Sequence, residues 1–441
     1  MGPMLVWIPE TQKKENKMAT VEMIRKGLLH DIYPHLYATR FDNGEMDRRF
    51  ASLLATHSEL FKVADAKLFS TAGRSELGGN HTDHNLGKVL AATINLDTIA
   101  AVSPRDDNHV VLISEGYPPV EIDLANLEMA EREKNTTEAL VRGIAFAFKQ
   151  RGLAIGGWQA NTTSRVLKGS GLSSSAAIEV LCATIFNHLF NGDTLSPIEL
   201  AIIGQFSENH YFGKPSGLMD QVACANGGIV SIDFEDAKNP VVTPVPFSFE
   251  KHGYHLVIVD TGGNHADLTP EYASVPEEMR QVAGYFNKKN LREIEADSFA
   301  AALPELRKQL DNDRALLRAI HFFGENDRVT SMLEALEKED MQGFLSKVRS
   351  SGESSFCFLQ NLYPTTNPQE QGLSLAIAMT KEILGDDSTV RVHGGGFAGT
   401  IQAYVPTGKL SVYKDYLESV FGEGTVTRIA VREKESCCIA E

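Results

Sequence analysis

Residues 169–175, Gly169-Ser170-Gly171-Leu172-Ser173-Ser174-Ser175, run without a break into the apolar stretch AAIEVLCATIFNHLF of residues 176–190. A small-residue loop that opens a long helix presents unpaired backbone amides, and its glycines let that backbone approach a ligand closely. Such a helix start suits phosphate oxygens, and serine hydroxyls can add hydrogen bonds or reach a cation. Two familiar phosphate loops are not spelled here: the terminal Gly-Lys-Ser/Thr and the G-x-G-x-x-G pattern are both missing. Taken alone, the stretch reads equally well as a loop that merely caps its helix.

Outward from this loop, strand-like and helix-like text alternate. Upstream, residues 66–120 are strand-like, with VLAATINLDTIAAV and HVVLIS the clearest runs; a helix fits 137–151, and the strand WQANTTSRV leads into the loop. Downstream, a helix over 197–211 precedes GKPSGLMDQ, and strands fit GGIVSIDF and YHLVIVDT. The second half predicts helices over 276–287, 298–323 and 328–350, then a strand–loop–strand unit, VRVHGGGFAGTIQAYVP, a helix and the strand VTRIAV. Residues 1–60 read as an extension followed by amphipathic helices, for instance over 46–60. Mixed strands and helices in both halves argue for an α/β or α+β protein of two lobes. The expected division is 1–60 for the extension and helices, 61–250 for one lobe and 251–441 for the other.

At 441 residues the chain can bury a large core. Its formal charge of −16 opposes general binding to nucleic acid or an anionic membrane, though a local glycine-rich loop with a cation can still hold phosphates. Five cysteines without paired spacing fit a reducing compartment, so a cytoplasmic protein is expected. The start lacks a basic segment followed by a long apolar one, and no uncharged stretch is long enough to cross a bilayer. Cys438-Ile-Ala-Glu matches a prenylation box in form, but its terminal Glu and the absence of an upstream basic run mark it as chance. A monomer is expected.

Three further constellations carry chemistry. GRSELGGNHTDHN, residues 73–85, gathers Arg74, Glu76, Asn80, His81, Asp83 and His84 between strand-like runs, enough polar groups to read several hydroxyls. His81, His84 and Asp83 also raise a metal site, but a zinc hydrolase would add a third ligand and a carboxylate base in a pattern such as H-E-x-x-H, which is absent. Glu208 is followed by GKPSGLMDQ, where Asp220 after a Gly-Pro-rich bend can orient and deprotonate a hydroxyl or simply cap a helix. Last, His393-Gly394-Gly395-Gly396-Phe397-Ala398-Gly399 places three adjacent glycines between strands, as a tight hairpin or a close backbone approach to a loop or ligand requires.

Taken in order, these four segments resemble the galactokinase branch of the GHMP small-molecule kinases. Gly73-Arg74 through Gly79-x-His81-Thr82-Asp83-x-Asn85 is similar to the family's sugar-binding signature, and GSGLSSSAA, residues 169–177, to its second motif. The stretch from Glu208-Asn209 to Gly217-Leu218-Met219-Asp220-Gln221 resembles the one carrying the catalytic Asp, and Gly394-Gly395-Gly396-Phe397-x-Gly399 the third motif. The likeness spans roughly residues 60–430. It implies an α+β fold with an N-terminal lobe like ribosomal S5 domain 2, a ferredoxin-like C-terminal lobe and an active site between them. It implies an ATP- and Mg2+-dependent sugar 1-kinase that converts galactose to galactose 1-phosphate. In that reading Asp220 is the base and Arg74 its partner. Gly169, Ser170, Gly171, Leu172, Ser173, Ser174 and Ser175 wrap the phosphates, and Ser175 and Glu208 hold magnesium. Asn80, His81, Asp83, Gly217 and Tyr272 meet the sugar.

The chain departs from the family at the sugar signature. Asn80 stands where galactokinases typically have the Glu expected to accept from the 6-hydroxyl, and Glu76 stands where they usually have Asn. A charged hydrogen bond is worth about 1.5–3 kcal/mol against roughly 1 for a neutral one, so galactose would bind about tenfold more weakly. A Glu would repel a 6-carboxylate by about 4 kcal/mol at contact distance; Asn removes that term, which makes a galacturonate-type kinase the alternative. A catalytically silent sugar sensor is a third reading, opposed by the intact Arg74, Ser175, Glu208 and Asp220.

Overall fold

The structure, a computed structural model, describes residues 19–38, 41–166, 171–214, 216–263 and 268–441. They fold as an α+β molecule of two lobes on two sheets. The first sheet contains β1 (Lys67–Gly78), β2 (Lys88–Pro104), β3 (His109–Ser114), β4 (Val120–Asp123), β5 (Trp158–Ser164), β6 (Ile229–Asp233) and β7 (Val241–Val245). β2 is long enough for three partners, taking β1 along its length, β5 on Thr98–Pro104 and β6 on Lys88–Ala92. β7 carries Pro244 and pairs with β6, so the missing N–H falls at the sheet's edge.

The near-continuous apolar text of β1 and β2 follows from burial on both faces. Side chains alternate along a strand, so Phe69, Ala100 and Val102 face α4 (Thr137–Gln150), α5 (Ser174–Asn191) and α6 (Pro197–Ser207). Their neighbours Leu68, Ile99 and Ala101 face the opposite layer, made by Ile24, Leu36, Met46, Phe50 and Leu53. Those residues lie in or beside α1 (Thr20–Arg25), α2 (Tyr33–Tyr37) and α3 (Asn43–Phe61). The segment before β1 is thus a lid on the sheet's second face. A buried ion pair pins it: Arg49 Nη1 donates to Asp97 Oδ1 at 2.6 Å, and Tyr37 Oη donates to Asp97 Oδ2 at 2.9 Å.

After the short α7 (Met219–Ala225), the second half begins with β8 (Tyr254–Asp260) and α8 (Thr269–Tyr285). Three helices, α9 (Ala296–Leu310), α10 (Asp313–Glu337) and α11 (Met341–Ser354), precede α12 (Gly372–Leu384), β9 (Val390–Val392), β10 (Thr400–Pro406), α13 (Leu410–Phe421) and β11 (Val426–Ile429). The second sheet has the order β11-β8-β10-β9, antiparallel throughout. A shared core joins the lobes, with Leu77 and Leu90 from the first sheet, Leu256 from the second, and Val329 and Met332 from α10.

Sequence patterning misplaced several boundaries here. The helix expected to start at Pro276 begins seven residues earlier, at the better start Thr269-Pro270, and Pro276 lies inside it. The expected break between 323 and 328 does not exist; α10 runs straight through Gly324. The true breaks fall at Asp311 and Asp340, where Asn312 accepts from Ala315 N and Asp340 from Gly343 N as side-chain caps. The prenylation-like tail is a strand: β12 (Cys437–Ala440) pairs antiparallel with β1 and so returns the 251–441 segment to the first sheet. No helix among the described residues is long and apolar enough to cross a membrane.

Candidate active site

β1 brings Arg74 to the loop that opens α5. The backbone comes so close that a Cβ on Gly73 would stand 2.8 Å from the Leu172 carbonyl, and Arg74 N donates to that carbonyl at 3.1 Å. The Arg74 guanidinium grips Asp220 at the start of α7 through both oxygens, Nε to Oδ1 at 2.8 Å and Nη2 to Oδ2 at 2.7 Å. Its Nη1 donates to the Gly171 carbonyl, and Ser173 Oγ donates to Asp220 Oδ2. Burial raises the Asp220 pKa, but the Arg74 charge and the bonds from Ser173 and Arg74 outweigh it, leaving the carboxyl below its ordinary value. The Asp220 side chain nevertheless keeps 31% of its surface open.

Ser173 precedes α5 with a left-handed backbone (φ 61°), and its hydroxyl makes no cap to the helix because it is turned to Asp220. The first amides of α5 therefore have no side-chain cap, as phosphate binding at a helix start requires. Ser174 and Ser175 form the first turn, with Ser175 exposed. Gly171 (φ 69°) abuts the glycine-rich loop between β9 and β10; a Cβ there would meet Thr400 Oγ1 and His393 Nδ1 at 3.1 and 3.2 Å. Gly169 and Ser170 lie outside the described residues.

Glu208 is buried and directly follows α6 as its C-cap. Its Oε1 accepts from Lys214 Nζ at 3.1 Å, and its Oε2 from Ser216 Oγ and from Gln221 Nε2, the latter at 2.9 Å. Gln221 Nε2 also reaches Glu179 Oε2 at 2.9 Å. Glu179, four residues after Ser175 on α5, is wholly buried; burial and then the Glu208 charge push its pKa well above the ordinary range. Sequence reasoning missed Glu179 and the bridging role of Gln221. A lone carboxylate inside AAIEVLCATIFNHLF was the available signal.

At the other end, Asp83 and Gly217 touch: a Cβ on Gly217 would stand 1.8 Å from Asp83 Oδ2, so no other residue fits there without displacing that carboxylate. His81 donates through Nε2 to the Gly395 carbonyl at 2.9 Å, which leaves Nδ1 an acceptor, buried and without a partner among the described residues. Burial, then His84, lowers the His81 pKa to about 3, so the ring is neutral. Tyr272 donates to the Gly396 carbonyl at 2.9 Å and meets Phe397 edge to face, ring centres 5.4 Å apart. Tyr272, the signature turn and the glycine loop thus share one wall.

Asn80 has a different position from the one expected of a sugar contact. It is fully buried, and its amide is occupied by the protein: Nδ2 donates to the Gly394 carbonyl at 2.7 Å and to Glu76 Oε1 at 3.2 Å, and Oδ1 accepts from Asn361 Nδ2 at 2.8 Å. Glu76 in turn pairs with the buried Arg391. The acid expected at position 80 is therefore matched by one at position 76, four residues away and hydrogen-bonded to it.

The chain is similar to known kinases in both sequence and fold. Residues 139–228 match the GHMP kinases N terminal domain, and residues 55–104 match the galactokinase galactose-binding signature. Galactokinases of Actinobacillus pleuropneumoniae serotype 5b (strain L20) and serotype 3 (strain JL03) are each 30% identical to the chain over 393 residues, covering 87% of it and 95% of the relative. Among solved structures, Lactococcus lactis galactokinase complexed with galactose superposes with a TM-score of 0.76 at 23% identity, covering 88% of this chain and 100% of the other. Methanococcus jannaschii mevalonate kinase gives 0.59 at 15% identity, covering 83% and 99%. Fold and motifs together define a GHMP kinase. Within that class the chain belongs to the galactokinase family, and it is a phosphotransferase of the galactokinase-like sugar kinase type, with ATP as the family's phosphoryl donor.

Proposed function

We propose that the chain transfers the γ-phosphoryl group of ATP to the anomeric hydroxyl of galactose, giving galactose 1-phosphate and ADP. One observation carries this reading: a carboxylate held ionised by a two-pronged Arg74 and by Ser173, yet open on one side, beside uncapped amides at a helix start. Asp220 takes the proton as the sugar oxygen bonds to the γ-phosphorus and the β–γ bridge bond breaks, with the electron pair leaving on ADP. Arg74 keeps Asp220 charged in the ground state and lies where negative charge accumulates during transfer. The first-turn amides of α5 and the loop before it hold the phosphates, with Gly171 kept close by the glycine loop.

Glu208 and Ser175 fit magnesium. Both offer the oxygen ligands it prefers, and the Lys214 ammonium already stands against Glu208 Oε1 as a cation. Glu208 and Ser175 would hold the ion alongside the phosphates of the bound nucleotide. When bound, the ion supplies charge neutralisation on the phosphates.

The sugar lies against Asp83, Gly217, His81 and Tyr272. Asn80 stands behind that wall with its amide bonded to Gly394, Glu76 and Asn361, which supports galactose over galacturonate in this reading. The test is ADP release from Mg·ATP with galactose, galacturonate, glucose, glucuronate, N-acetylgalactosamine and talose. Galactose should give the highest kcat/KM; a higher value for galacturonate would overturn the substrate assignment.

A further inference from the structure

The backbone between Gly78 and Lys88 turns sharply. Gly79, His81 and Leu86 all have positive φ, at 93°, 58° and 61°, and two of the three are not glycine. Thr82 ties the turn internally, its single hydroxyl proton lying within reach of both the Gly79 carbonyl at 2.9 Å and the Lys88 carbonyl at 2.7 Å. Gly394, Gly395 and Asn361 meet the side chains of Asn80 and His81, and Phe234 N donates to the Gly87 carbonyl at 3.1 Å; three further bonds to the turn's backbone come from one helix more than 200 residues away in sequence. Glu325 Oε1 accepts from Gly79 N at 3.0 Å, His321 Nε2 donates to the Asn80 carbonyl at 2.9 Å, and Asn326 Oδ1 accepts from Lys88 N at 2.8 Å. Residues 321 and 325 lie one turn apart on one face of α10, and 326 follows 325 on the adjoining side. Further along that helix, Met332 fills the space beside Gly78, where a Cβ would stand 2.5 Å from its sulfur.

These side chains are themselves fixed. Arg328 Nε donates to Glu325 Oε2 at 2.6 Å, and its Nη2 donates to Ser354 Oγ at 2.7 Å. Ser354 Oγ meets His321 Nδ1 at 2.9 Å, which completes a chain of bonds from His321 through Ser354 and Arg328 to Glu325. His321 and Glu325 are fully buried, and their side chains bond to the turn, to Ser354 and Arg328, and to Ser351 Oγ, which donates to Glu325 Oε1 at 2.5 Å, rather than to Arg74 or Asp220. A buried, interlocked set of donors and acceptors aimed at backbone atoms specifies the path of that backbone.

We propose that His321, Glu325 and Asn326 are positioning residues for the sugar: α10 sets the 79–88 backbone and, through it, the aim of His81 and Asp83. The inference rests on the reading that those two side chains meet the sugar. It predicts a split effect, because the phosphate end of the site is built from α5, α7 and the glycine loop.

In the full chain, Glu325→Ala and His321→Leu should raise the galactose KM about tenfold while the ATP KM stays within about twofold. Glu325→Gln and His321→Gln, which keep an acceptor for Gly79 N and a donor for the Asn80 carbonyl, should recover most of that loss. Hydrogen exchange over residues 79–88, followed by mass spectrometry, should quicken at least about tenfold in the first pair of variants. Where Glu325→Ala does not fold, Asn326→Ala carries both measurements. A fall in kcat with both KM values unchanged would show only a smaller folded fraction and overturn the proposal, as would unchanged exchange over 79–88. If the wild-type chain leaves galactose untouched, the assigned substrate fails while exchange still decides whether α10 holds the turn.

Discussion

Two arginine–carboxylate pairs hang from the same face of β1, two residues apart, with the roles of strand and partner exchanged. Arg74 on the strand grips Asp220 from α7; Glu76 on the strand grips Arg391 from β9. The first acid keeps 31% of its side chain open, whereas Glu76 keeps 2% and Arg391 none. Their acidities diverge accordingly. For Asp220 the donors outweigh burial and the pKa falls; for Glu76 burial outweighs Arg391 and Arg74 and the pKa rises. Arg391 also has Nε and Nη1 buried without a hydrogen-bond partner among the described residues. Under the proposed function, the same ionic chemistry serves reaction in one place and architecture in the other, and access decides which.

The comparison can be broken at either pair. Asp220→Asn should lower kcat by about 10²–10⁴-fold with the galactose affinity little changed, read by ADP release and calorimetry. Near-normal turnover would remove Asp220 as the base. Glu76→Ala or Arg391→Ala should instead destabilise the fold by about 3–5 kcal/mol in denaturant titration, since each strands a buried charge. A loss under about 1 kcal/mol would mean that the sealed pair contributes no more than an exposed one.

Asn80→Glu sharpens the contrast. It sets a second carboxylate against Glu76, a repulsion on the order of 4 kcal/mol at 4 Å and intermediate dielectric. The double exchange Glu76→Asn with Asn80→Glu should recover most of that stability. Additive losses in the two single variants and the double variant would show that the positions are not coupled. The smallest expected effect is of pH. Asp220 stays ionised because its pKa is depressed, and His81 stays neutral because its pKa is about 3. Galactose affinity should therefore be flat between roughly pH 5 and 8 and fall only as acid reaches the His81 value of about 3, whereas protonation of Asp220 should lower turnover. A step near pH 6.5 would contradict the neutral His81.

Local sequence carried much of this. The loop into α5, the long strands β1 and β2, and Arg74, Glu208 and Asp220 stand in text whose pattern points to strand, turn or helix start. What stayed hidden depends on partners far away. Asn80 looked like a sugar ligand because nothing nearby in sequence shows Asn361 or Gly394 closing on its amide. Arg391 in the apolar strand VRV signalled a buried acid, but its partner Glu76 is 315 residues earlier. The breaks around α10 turned on Asn312 and Asp340 as caps, whereas the sequence pattern alone placed a break between 323 and 328.

The pairing of β12 with β1 has a consequence for how the molecule is made. Leu68 lies opposite Ala440, so a ribosome adds about 370 residues after β1 before its outer edge can be covered. At about 5–20 residues per second that edge stands unpaired for on the order of 20–70 s. During that interval the strand bearing Arg74 is a template for any other extended chain nearby, and late synthesis, rather than early collapse, seals it.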